Sequence, residues 1–163
     1  MGLIDFVKNA GAKVMGVETK AVLQEREKIA ENALAKALER HVQKTGVAIE
    51  NLKIEFDDEV ATVYGTTKSQ PDREKIALAV GNVNGVSKVD DRIQVDTSKA
   101  APEQKPEPET KYYTVAKGDT LSKIAKEFYG NPMKYTVIFE ANKPMLTNPD
   151  LIYPGQVLRI PIE

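Results

Sequence analysis

The sequence predicts an α+β protein made of two small domains, and three observations carry that prediction. Residues before 96 read as helix, strand, strand, helix, strand. The last third reads as strand, helix, helix, strand. Between them, residues 96–111 carry Pro102, Pro106 and Pro108 among Glu, Lys, Gln, Ala and Thr, with no large apolar side chain. Such a stretch buries too little surface to offset its chain entropy, so it reads as a semi-extended linker. The total of 163 residues suits one ordinary domain or two small ones. A formal net charge of −1 favours neither nucleic acid nor an anionic membrane as partner. The absence of cysteine excludes disulfides, thiol nucleophiles and cysteine metal sites.

The N-terminal segment, residues 1–23, places Leu3, Phe6, Val7 and Ala10 at helical spacing, an amphipathic stripe that needs a surface to dock on. Asp5 and Lys8 interrupt its apolar part, so it lacks the pattern of a secretory signal. No stretch reaches the length of a membrane span. The expected address is cytoplasmic, with no membrane partner, and the expected state is a monomer.

Residues 24–95 form the first domain. From Gln24 to Thr45, the residues Ala30, Ala33, Leu34, Ala37, Leu38, His41 and Val42 make one helical stripe, ended by Gly46. Leu52–Phe56 alternates strictly and reads as a half-buried strand. Asp57, Asp58 and Glu59 turn it, and Val60–Gly65 returns as the hairpin partner. Ser69 offers an N-cap, with Pro71 and Asp72 in the first turn and Ile76, Ala79, Val80 and Val83 on the buried face. Val86–Val95 is a third strand. A helical layer over a three-stranded mixed sheet follows.

The second domain spans residues 112–163. Tyr112–Val115 is a short strand, and Asp119 or Thr120 caps a helix bearing Leu121, Ile124, Ala125 and Phe128. Gly130 stops that helix and Asn131-Pro132 opens the next, with Tyr135, Ile138, Phe139 and Asn142. Val157–Pro161 closes as an edge strand.

The stretch with most chemical potential is Val80-Gly81-Asn82-Val83-Asn84-Gly85-Val86. Two Gly and two Asn tolerate left-handed backbone, so the chain can wind tightly here. No side chain in it is charged, so anything bound is held by backbone dipoles. A second source of free carbonyls is the end of the N-terminal helix at Gly11. A neutral nest of carbonyls suits a large, weakly hydrated monovalent cation; the plain alternative is a helix C-cap turning into a strand. His41 reads as a packing or capping group, and the acidic runs Asp57–Glu59 and Asp90-Asp91 as solvated turns. No nucleophile elbow, phosphate loop or histidine metal spacing is present, so no enzyme is expected.

The order of elements, with the apolar hairpin and the turn-to-strand run Val83-Asn84-Gly85-Val86-Ser87-Lys88-Val89, resembles a BON domain. The run Tyr113–Ala125, with Asn142 and the ending Tyr153–Pro161, is similar to a LysM domain. That second resemblance implies a βααβ fold and an N-acetylglucosamine groove, which would use Gly118, Asp119, Thr120, Leu121, Ile152, Tyr153 and Pro154. Both domains in this order, behind the start Met1-Gly2-Leu3-Ile4-Asp5-Phe6-Val7-Lys8-Asn9-Ala10-Gly11, resemble a family of small bacterial potassium-binding BON–LysM proteins. The resemblance implies a cytoplasmic potassium sensor with a stress-response role and K+ held by backbone oxygens. Carried onto this chain, the ligands are the carbonyls of Val7, Ala10, Ala12, Gly81, Val83 and Val86, all of them before the linker. LysM would then serve as an interaction module toward a protein or glycan partner.

Overall fold

The structure is a computed structural model that describes residues 20–96, 98 and 109–162. The first unit comprises helix α1 (Lys20–Thr45), strands β1 (Glu50–Asp57) and β2 (Val60–Thr67), helix α2 (Gln70–Gly81) and strand β3 (Lys88–Val95). The sheet order is β1-β2-β3, with β1 antiparallel and β3 parallel to the central β2. This is the mixed sheet that a hairpin followed by a helical crossover must make. Asp57 pairs with Val60, which leaves Asp58 and Glu59 as a two-residue turn at φ +45° and +63°. A type I′ turn requires both signs positive, and here neither residue is glycine.

Alternation along β1 turns Leu52, Ile54 and Phe56 inward, against Leu38, Val42, Val63, Ile76, Val80 and Ile93. The stripe on α1 differs from the expected one. Ala35, Leu38 and Val42 are buried with Leu34 beside them, whereas Ala30, Ala33 and His41 face solvent. Alanine is small enough to sit on either face, so it fixes the phase of a helix poorly. The α2 cap is as expected: Ser69 Oγ accepts the Asp72 amide at 3.3 Å and donates to Asp72 Oδ2 at 2.8 Å, with Pro71 in the first turn.

The second unit comprises strand β4 (Thr110–Thr114), helix α3 (Leu121–Tyr129), a 3₁₀ turn (Pro132–Lys134), helix α4 (Tyr135–Ala141) and strand β5 (Val157–Pro161). Strands β4 and β5 pair antiparallel, and Ile124, Ala125, Ile138, Leu158 and Ile160 fill the space beneath the helices. Thr120 is the N-cap, its Oγ1 accepting the Lys123 amide at 3.3 Å. Asp119 instead folds back, accepting the Ala116 amide and the Tyr113 hydroxyl, both at 2.8 Å.

The outer edge of β5 is closed by side chains. Buried Asn142 donates to the Arg159 carbonyl (2.7 Å) and accepts its amide (2.8 Å). The Tyr129 hydroxyl donates to the Pro161 carbonyl at 2.7 Å. The Val157 position is closed by Asn82, from the first unit. Unpaired strand edges are templates for association, and each carboxamide here supplies the donor and acceptor of a missing strand.

Candidate functional site

Helix α2 runs out at Gly81, and the loop after it is wound by three backbone bonds. The Asn82 amide donates to Leu78 O (3.0 Å), Val83 to Val80 O (3.1 Å) and Val86 to Val83 O (3.1 Å). Only Gly85 takes a positive φ, +94°; Asn82 sits at φ −86°, ψ 4°. The expected left-handed character of the loop therefore rests on one residue. Gly81 is helical, and its missing side chain matters for space, since a Cβ there would lie 3.2 Å from Val89 Cγ2. The far end of the loop is tied to the hairpin tip. Ser87 donates to the Glu59 carbonyl through both its amide (2.8 Å) and its hydroxyl (3.2 Å).

Asn82 joins the two units. Its Nδ2 donates to the Val157 carbonyl (3.0 Å), its Oδ1 accepts the Val157 amide (2.8 Å), and its own carbonyl accepts the Tyr153 hydroxyl (3.0 Å). Arg159 Nε donates to Glu74 on α2 at 2.5 Å, the two side chains 7% and 12% exposed. Beside this seam lies an open groove of about 440 Å³, lined by Gly81–Val86 on one side and Tyr153–Gly155 on the other. The fold thus sets Gly81, Val83 and Val86 beside Tyr153 and Pro154, residues the sequence assigned to two unrelated sites. Val7, Ala10 and Ala12 lie outside the described residues.

The remaining saccharide-type residues serve local roles. Gly118 turns at φ +89° and its carbonyl accepts Lys123 Nζ at 2.7 Å. Thr120 caps α3, Leu121 is 2% exposed in the core, and Ile152 packs against that core. Tyr153 remains 46% exposed, and partial burial raises its hydroxyl pKa above the ordinary value. The Ala116 amide, followed by the Tyr113 hydroxyl, holds the Asp119 carboxyl below the usual carboxylate range. Glu27, Glu31 and Asp58 bring carboxylate oxygens within 4.8 Å of one another, and Glu31 accepts the Asp58 amide at 3.5 Å. Among the described residues, no helix is long and apolar enough to cross a membrane.

The chain is 46% identical, over the whole length of both, to the potassium binding protein Kbp of Escherichia coli O6:H1. The chain belongs to the Kbp family. A BON domain matches residues 30–97 and a LysM domain matches residues 113–161, in agreement with the three-stranded mixed sheet and the βααβ unit. An uncharacterized protein of Deinococcus radiodurans is 41% identical over 54% of this chain and 34% of its own length. The uncharacterized protein YqbP of Bacillus subtilis is 40% identical over 31% of this chain and 27% of its own length.

Proposed function

We propose that this chain is a cytoplasmic potassium-binding protein that coordinates K+ through backbone carbonyls. On this reading Gly81, Val83 and Val86 supply one side of the cage, and Val7, Ala10 and Ala12 at the end of the N-terminal segment supply the other. Residues 1–95 carry the site, with the N-terminal segment 1–23 docked on the BON domain at 24–95; residues 96–111 link it to the LysM unit at 112–163, and LysM acts as the interaction module of a sensor. The observation that carries the reading is the full-length relationship to a protein named for potassium binding. The chemistry of the loop supports it. A site without carboxylates has a weak field, which suits a large monovalent ion and not Ca2+ or Mg2+.

Binding that requires the N-terminal segment and the loop together exists only in the folded state, so it shifts the folding equilibrium. At a free-ion concentration a hundred times the dissociation constant, the gain is about 2.7 kcal/mol. The test is a melting curve in matched potassium and sodium chloride. A potassium midpoint several degrees higher is expected; equal midpoints across millimolar salt overturn the reading. A second reading, an N-acetylglucosamine binder, draws on the LysM match and the exposed Tyr153 ring. Retention on insoluble peptidoglycan, equal in sodium and potassium, together with equal melting midpoints, favours it.

A further inference from the structure

Asn84-Gly85 is the one place in this sequence where asparagine precedes glycine. The geometry there suits a reaction between the two residues, in which the peptide nitrogen of Gly85 attacks the Asn84 side-chain carbonyl carbon. Four conditions favour such an attack: no side chain on the following residue, a free amide, an unengaged carboxamide and open space. Both residues are exposed, and a Cβ added to Gly85 would meet nothing within 4 Å. Among the described residues, the Gly85 amide donates no hydrogen bond and the Asn84 carboxamide makes none.

The other described asparagines at element ends lack these conditions. Asn82 is held on Val157 and precedes β-branched Val83; Asn142 is buried and held on Arg159. Asn131 and Asn148 precede proline, which has no amide hydrogen to lose.

We propose that Asn84 is a spontaneous modification site whose isoaspartyl product inactivates the loop. The Gly85 nitrogen loses its proton and forms a bond to Asn84 Cγ, the C–N bond of the carboxamide breaks, and ammonia leaves. Water then opens the resulting succinimide at one of its two carbonyls, giving aspartate or isoaspartate. The site lies between Val83 and Val86, so this consequence rests on the potassium reading above. Aspartate leaves the backbone path unchanged and adds one negative charge. Isoaspartate also inserts an additional backbone methylene just before Gly85, which moves the Val86 carbonyl relative to that of Val83.

The experiment ages the full chain in warm, mildly alkaline buffer beside Asn84→Gln, whose cyclisation needs a less favoured six-membered ring. Fragment mass spectrometry of the tryptic peptide 76–88 should place the mass gain on residue 84 and leave Asn82 unmodified. The isoaspartyl fraction, separated by ion exchange and identified by its resistance to Asp-directed cleavage, should lose the potassium-over-sodium rise in melting midpoint. Unaged Asn84→Asp should keep it. Absence of modification at residue 84, under conditions that modify an unstructured peptide of the same sequence, overturns the proposal. So does an isoaspartyl protein with an undiminished potassium response. Should the unaged protein show no potassium response, the potassium reading fails while the assignment of the modification to residue 84 is still decided by the mass spectra.

Discussion

Replacing Asn82 by alanine removes the carboxamide that closes the Val157 position of β5 while leaving the main-chain carbonyl that accepts the Tyr153 hydroxyl. Two hydrogen bonds to partly buried backbone groups are lost, each contributing about 1 kcal/mol, or about 2 kcal/mol together. At about 1.4 kcal/mol per tenfold, the seam should open about 30 times more often. Amide hydrogen exchange reads this directly. Protection at Val157 should fall by about that factor, whereas the Arg159 amide, held two residues along by Asn142, should stay near its original rate. Unchanged exchange at Val157 would show that the carboxamide contributes nothing. Equal losses at Val157 and Arg159 would show that the whole LysM unit has been loosened, and would equally refute the argument.

Glu74→Ala strands the buried Arg159 guanidinium without its counter-charge, which should cost about 3–5 kcal/mol in urea unfolding, and adding Arg159→Met should restore much of it. The Asp119 carboxyl is held low in the folded state by the Ala116 amide and the Tyr113 hydroxyl. Its stabilising contribution is therefore present above about pH 4 and lost as pH falls through the lower folded value. Urea midpoints between about pH 6 and pH 2 should fall less steeply in Asp119→Asn. Glu59→Gly relieves a non-glycine residue at φ +63° and should raise stability by about 1 kcal/mol, with the hairpin register intact by NMR.

The elements that the sequence reveals are those whose signals are local. The alternation of Leu52, Ile54 and Phe56, the Ser69 cap with Asp72, and the stop at Gly130 each depend on residues within a few positions of one another. The misread features have other causes. The Gly81–Val86 loop contains two Gly and two Asn, but the wind of the chain assigns left-handed geometry to Gly85 alone. The pairing of Asn82 with Val157 spans 75 positions. It is made by a side chain with no periodicity, so nothing in the pattern announces it. For the same reason the two candidate sites looked separate until the seam set Gly81–Val86 beside Tyr153–Gly155.

The three closures on β5 are unequal in origin, since Asn142 and Tyr129 travel with the LysM unit while Asn82 does not. A severed LysM half would therefore be chemically incomplete, with an amide and a carbonyl at Val157 directed toward solvent or toward the next molecule. That pair has the shape of a socket for one primary carboxamide, the one Asn82 supplies. Two hydrogen bonds contribute about 2 kcal/mol, less than the cost of bringing two molecules together, so water and not another chain takes the pair in a severed half. Asn82 holds its place because the chain already tethers it there, so the association cost is met within one molecule and not between two.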